Sequence, residues 1–269
     1  MSLELYPPGS LDTLLSTHDA DIKALKSALG DALPQSDLYD SIWLLRYCLS
    51  FKEREPREKA ARDCIAWRKE NRQMLENVAE GVLPAISEKI APYMVAGFHG
   101  FGKGGEPLFV VRASVCDPKA IMDALTEQDL LPWFMAQREQ AFIMCDKATR
   151  VQRRLVKQMS VIAMTNSSLS GFDKRYFAVI AKSGKMSEYC YPQLLLKSCS
   201  FDPPSFFMGM FTLFKGLMSK TMLEKFALCP GLARGGSAAA CPFASKMFDM
   251  RCVRGSNGDF VFEELRSVS

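Results

Sequence analysis

The spacing of apolar residues changes once along this chain, and that change limits the possible folds more than any other feature. Up to about residue 80 the apolar positions recur at helical intervals. Leu11, Leu14, Leu15, Ile22, Leu25 and Leu29 mark a helix from Ser10 to a stop at Gly30. Beyond Pro34, Asp37 is placed to cap a second helix whose inner face is Ile42, Leu45 and Leu49. Pro56 suits the first turn of a third, which carries Ala60, Ala61, Cys64, Ile65 and Trp67 and runs to about Leu75. After that, short strand-like runs take over at Tyr93–His99, Leu108–Arg112, Met159–Thr165 and Leu194–Ser200. The glycine-rich stretch Gly100–Pro107 reads as a hairpin turn between the first two. Helical segments at about Thr126–Ala148 and at Lys174–Tyr189 separate the others. Strands alternating with helices indicate an α/β domain with a partly parallel sheet. The chain therefore reads as a helical region over residues 1–80 and an α/β domain over 81–269. Its tail, from about residue 230, opens with a Gly/Ala/Ser-rich stretch and contains a hairpin-like Ser256-Asn257-Gly258-Asp259.

One segment does not fit a plain amphipathic pattern. In Phe206–Phe226, Phe207, Met210, Phe211, Phe214, Leu217, Met218 and Met222 recur at helical spacing. Between Phe206 and Phe214 the helix is apolar nearly all round, so it is either a static core helix or faces something greasy. Eighteen Phe and fifteen Met in the whole chain point the same way, because both fill irregular apolar space.

Composition narrows the function classes. A net charge of +4 favours contact with anionic membranes and gives no support for nucleic-acid binding. No secretory segment opens the chain, and the nine scattered Cys read as reduced thiols, so a cytoplasmic location is expected. No run reaches the ~18 apolar residues of a spanning helix, so any membrane association is peripheral. Lys147, Arg150, Arg153, Arg154 and Lys157 form a basic run that either meets headgroups or is a solvated segment.

Several motifs then fall into a familiar order. Leu44-Leu45-Arg46-Tyr47 is followed by Ala66-Trp67-Arg68-Lys69, then Gly105-Glu106-Pro107-Leu108-Phe109, then Tyr189-Cys190-Tyr191-Pro192 ahead of a strand and Phe206–Phe226. This order, from Leu38 to Cys229, resembles the CRAL-TRIO family of lipid-binding proteins. The resemblance implies an α/β fold with an N-terminal helical region, then a mixed sheet flanked by helices. It also implies an apolar pocket over that sheet, under a mobile gate helix at Phe206–Phe226. Hinges for such a gate fall at Pro203-Pro204 and Gly216. The implied function is binding one hydrophobic ligand and carrying or presenting it at membranes. The alternative is a protein-interaction module on the same fold. No cofactor, metal or nucleic acid is implied.

The implied ligand-binding residues depart from the family pattern in one direction. Where inositol-lipid binders place Arg-Lys, this chain has Phe51-Lys52. Gln193 replaces the Glu after Tyr-Pro, and Glu224 replaces a Lys near the gate's end, with Thr221 kept. A phosphorylated headgroup needs cations, so a standard inositol-lipid site is not expected. Tyrosines of the phosphatidylcholine-type pocket align with Phe98, Phe109 and Arg138; a Ser is kept at Ser160, and its companion Thr becomes Ile162. Replacing Tyr by Phe keeps the ring and deletes the donor, which suits a less polar ligand such as a retinoid, tocopherol, carotenoid or sterol. The gate contributes Phe207, Met210, Phe211 and Phe214.

Other constellations are weaker. Gly102-Lys103-Gly104-Gly105 lacks the Ser/Thr that follows Lys in a phosphate-binding loop. With only His18 and His99 available and no nucleophile elbow, the chain reads as a binding protein and not an enzyme. Cys229-Pro230 and Cys241-Pro242 read as free thiols at loop ends, with haem or metal ligation as the other reading.

Overall fold

The computed structural model describes residues 9–164, 167, 173–207, 211–212 and 223–229. The chain divides into two compact units. A helical unit takes Met1–Pro84, Trp133–Val156 and Lys182–Leu194, and a sheet unit takes Ala85–Pro132, Lys157–Ala181 and Leu195–Ser269.

In the helical unit the first predicted helix is two, α1 (Leu11–Thr17) and α2 (Asp19–Leu29), because His18 leaves helical geometry between them. Ser10 caps α1 through the Thr13 amide at 3.2 Å. The next helix, α3 (Ser41–Ser50), is capped by Asp40 and not by Asp37. The Asp40 carboxylate accepts from the amides of Ile42 and Trp43 at 2.9 and 3.0 Å, while Asp37 begins a single 3-10 turn, Asp37–Tyr39. Both acids precede an apolar run, and only the geometry of the turn decides which becomes the cap. Seven consecutive residues of α3, Ile42 to Cys48, are buried. A helix buried on all sides is the centre of its unit, and α1, α2 and α4 (Arg54–Glu70) pack on it. Helix α4 stops at Asn71, short of the predicted end, and α5 (Arg72–Ala79) follows.

Two later helices complete this core. One is α8 (Glu127–Gln152), which contains Pro132 and passes from the sheet unit to the helical unit at Pro132/Trp133. The other is α9 (Lys174–Cys190), which passes at Ala181/Lys182. Arg68 on α4 and Glu139 on α8 form a buried bidentate pair, both contacts 2.8 Å, with the Phe142 ring 5.9 Å from the guanidinium. Burial pulls the Arg68 pKa down, the bonds to Glu139 pull it up, and the second effect wins. Nearby, Arg46 is 1 % exposed with Asp146 at 3.4 Å, and burial lowers its pKa. The Tyr47 hydroxyl donates to the Tyr189 carbonyl at 2.8 Å.

Two members of the basic run at the end of α8 are paired inside this unit. Arg150 pairs with Asp40 and Asp146, both at 2.7 Å, and Arg153 pairs with Asp12. The Arg153 carbonyl also accepts from the Leu11 amide at 2.8 Å. These arginines tie the end of α8 to the starts of α1 and α3.

The sheet unit begins with a short helix, α6 (Ile86–Ile90), and the hairpin β1 (Ala96–Phe101) and β2 (Pro107–Arg112). The turn uses Gly105 at φ +83°, a left-handed conformation that favours glycine. The Glu106 carboxylate accepts from the Gly104 amide at 3.0 Å. Helix α7 (Pro118–Ala124), which the apolar spacing did not reveal, is capped by Asp117 with Pro118 at its first position. A reciprocal Thr126/Asp129 capping box then starts α8. The remaining strands are β3 (Gln158–Ala163), β4 (Leu195–Phe201) and β5 (Phe226–Cys229). Their order is β1-β2-β3-β4-β5, with β1/β2 antiparallel and every other pair parallel. The mixed sheet of the predicted α/β fold is present. Phe226, predicted as the end of a helix, is instead the first residue of β5.

The helical core depends on the Arg68–Glu139 pair staying complete. Glu139→Ala leaves a buried guanidinium uncompensated and lowers unfolding free energy by about 3–5 kcal/mol in urea denaturation. Replacing both residues by Met costs clearly less than Glu139→Ala alone, and an equal or larger loss in the double variant contradicts this account of the pair.

Candidate functional site

The five strands are aligned so that one residue from each forms a row across the sheet. Phe98 pairs with Phe109, Phe109 with Ser160, Ser160 with Ser198, and Ser198 with Phe226. Laterally paired residues project to the same face, and residues two apart along a strand share it. The next row on that face is Ala96, Val111, Ile162, Ser200 and Leu228. None of these ten side chains is ionisable.

The two faces differ sharply in burial. Leu108, Val110, Met159, Val161, Ala163, Cys199 and Phe201 lie on the opposite face and are all buried. On the face of the two rows, Phe98, Phe109, Val111, Ser160, Ile162, Phe226 and Leu228 are half-buried, while Ser198 and Ser200 are buried. The alternation is plainest on β3, where Met159, Val161 and Ala163 are buried and Gln158, Ser160 and Ile162 are half-buried.

Aromatic rings flank the serines. On one side Phe98 and Phe109 meet edge to face at 5.2 Å. On the other, Phe226 lies 6.0 Å from Phe211, which is stacked on Phe207 at 5.9 Å. Residues 205–207, 211–212 and 223–224 are helical. The Ser200 hydroxyl is buried with no hydrogen-bond partner among the described residues. Alternation puts Lys197 on the opposite face, where its ammonium donates to the Glu224 carbonyl.

The structure thus brings Phe98, Phe109, Ser160 and Ile162 together on one face, and sets Phe211, with Phe207 stacked on it, against Phe226. Met210, Phe214 and Thr221 lie outside the described residues, as do most of the predicted gate and the Gly216 hinge. Glu224 lies in the sheet unit, where its carbonyl accepts from Lys197. Phe51, Lys52, Arg138 and Gln193 belong to the helical unit, where each has partners of its own. The Phe51 and Lys52 carbonyls both accept from Arg57 at 2.9 Å, and Arg57 also holds Asp21 at 2.7 Å. That guanidinium lowers the Asp21 pKa. The Phe51 ring stacks on Tyr47 at 6.3 Å. Gln193, at φ +62°, donates from Nε2 to the Ser50 hydroxyl at 2.9 Å. These contacts are all made within the helical unit.

Arg138 is held within the same unit. It donates to the Phe134 carbonyl at 3.0 Å and to the Ser183 hydroxyl at 3.1 Å, and burial brings its pKa down to about 10. It therefore remains a cation at neutral pH.

Sequence reasoning missed Ser198, Ser200 and Phe226. The signal for the serines was present: in Leu196-Lys197-Ser198-Cys199-Ser200-Phe201 the small polar residues occupy alternate positions of a strand. Among the described residues no cluster of His, Cys, Asp and Glu is arranged to hold a metal ion, and no helix is long and apolar enough to cross a membrane.

Comparison with known proteins adds to this geometry. The chain is 22% identical over 175 residues to the protein named real-time of Anopheles gambiae, a match that covers 63% of this chain and 24% of that protein. It thus spans about a quarter of that relative's length. The fold is similar to the crystal structure of Sfh5, with a TM-score of 0.57 and 15% identity over 81% of this chain and 80% of that one. The CRAL/TRIO domain matches residues 92–233, which include all five strands and the face with the serine row. On that match, which takes in more than half of its residues, the chain belongs to the CRAL/TRIO domain family.

Proposed function

We propose that this chain binds one hydrophobic molecule over the half-buried face of its sheet and carries or presents it at membranes, without catalysing a reaction. The observation behind this reading is the face itself: apolar, without an ionisable group in its two rows, aromatic on both flanks, and half-buried where the opposite face is closed. Parallel strands are normally covered on both faces, so an apolar face of this kind is suited to a greasy occupant. Membership of a lipid-binding family supports the same conclusion.

The physical task of such a protein is to lower a transfer barrier. Moving an acyl chain of roughly 16 carbons into water costs about 13 kcal/mol at ~0.8 kcal/mol per CH2. Enclosure in protein removes most of that cost, provided the protein opens only at a membrane. In this proposal the segment that starts at Phe206 and ends before β5 is the moving cover. Exposing each of Phe206, Phe207 and Phe211 to water costs ~1.5–3 kcal/mol, which keeps the cover closed in solution, and contact with lipid offsets that cost. The protein is cytoplasmic in this reading and meets membranes peripherally.

The ligand is not held by a standard inositol-lipid headgroup site. Phe51 and Gln193 carry no positive charge, the Phe51 ring stacks on Tyr47 and the Gln193 amide donates to Ser50, so these two side chains serve the helical unit.

Transfer of labelled lipid between donor and acceptor vesicles tests the proposal. Wild-type protein accelerates transfer. Phe211→Asp places a carboxylate beside Phe226 and reduces transfer by at least about tenfold, with circular dichroism and melting temperature showing an intact fold. Transfer by Phe211→Asp at the wild-type rate contradicts the cover, and no transfer by wild type contradicts the function.

A further inference from the structure

We infer that Ser160, Ser198 and Ser200 form a polar seat in the middle of the sheet face. This seat selects a hydrophobic ligand carrying a neutral oxygen function, such as a hydroxyl or a carbonyl. The inference rests on the lipid-binding reading above and names the chemistry of the molecule bound there.

The first argument is register. Ser160 and Ser198 are lateral partners on β3 and β4, and Ser200 is two residues further along β4 on the same face. Neighbouring strands lie ~4.8 Å apart, which is less than twice the ~2.8 Å length of an O–H···O bond. One ligand oxygen between Ser160 and Ser198 can therefore bond to both. Ser200 lies ~6.6 Å from Ser198 along the strand, and its hydroxyl reaches the same oxygen or a second one once the side chains turn toward each other.

The second argument is independent of register. Ser200 is 1 % exposed and its hydroxyl has no hydrogen-bond partner among the described residues. A buried hydroxyl without a partner destabilises a fold, and an alanine at this position removes that cost. A ligand oxygen supplies the missing partner. Ser198, 3 % exposed, lies next to it on the same face.

The third argument fixes the charge of the ligand group. A buried phosphate or carboxylate needs cations or several strong donors around it. The two rows provide only hydroxyls and apolar side chains, and Asp202, the residue just past the end of β4, is itself an acid. Hydroxyls both donate and accept, so they match a neutral alcohol or carbonyl. The Phe98–Phe109 pair on the adjacent strands then takes the hydrocarbon part.

Fluorescence titration of the full chain with three matched probes, pyrenedecanol, pyrenedecanoic acid and decylpyrene, tests the seat. Wild type binds pyrenedecanol about tenfold more tightly than decylpyrene, the effect of one or two well-made hydrogen bonds. In the double variant Ser198→Ala/Ser200→Ala that ratio falls to about one. Ser200→Ala alone raises the melting temperature of the ligand-free protein, which a purely structural serine does not do. A ratio of one in wild type, a ratio retained in the double variant, or a preference for pyrenedecanoic acid overturns the seat and leaves the lipid-binding reading standing. Binding of none of the probes overturns both.

Discussion

A parallel strand buried on one face and apolar on the other must be covered on both, and this constraint organises the sheet unit. On β3 the residues Met159, Val161 and Ala163 are buried on one face. The other face presents Ser160 and Ile162 between aromatic flanks. If the second face were part of an ordinary core, its hydroxyls would be paired or replaced by apolar residues of similar size. Ser200 instead keeps a buried, unpartnered hydroxyl. Holding apolar surface half-open and a hydroxyl unsatisfied costs stability, and such costs are characteristic of positions kept for binding.

The helical unit solves a different problem. Its central helix, α3, is buried along seven consecutive residues, including Arg46. A buried cation requires partners, and Asp146 on α8 supplies one for Arg46, as Glu139 on the same helix does for Arg68. Charge pairs of this kind add little net stability, yet breaking one is severe. They fix which turn of α8 faces α3 and α4. Arg150 and Arg153, which sequence alone leaves free for headgroups, complete the same attachment through Asp40 and Asp12.

Much of the fold was legible because local rules agreed. The strand-like run at Met159–Thr165, observed as Gln158–Ala163, and the glycine turn before Pro107 are each readable in isolation. Errors arose where two residues competed for one role, as with Asp37 and Asp40 as caps, or where one pattern ran into the next. Phe226 continues a helical spacing from Phe206, but its backbone pairs with β4 at Ser198. The recruitment of later helices into the first unit left no trace in the sequence, because it rests on pairs such as Arg68–Glu139, far apart along the chain. The candidate site was half legible. Phe98, Phe109, Ser160 and Ile162 followed from resemblance to a family, and the structure places them side by side. Phe51, Lys52 and Gln193 share that origin but have local structural partners. Ser198 and Ser200 were visible as an alternation yet unremarkable until strand pairing put Ser198 beside Ser160.

The central claim is that the half-buried face is a place for one hydrophobic molecule. Native mass spectrometry of the full chain, as purified and after incubation with a cell lipid extract, tests it most directly. The account predicts a single species heavier than the bare polypeptide by the mass of one molecule, which solvent extraction releases as a neutral, oxygen-bearing lipid. The bare polypeptide mass alone, unchanged after lipid is added back, contradicts it.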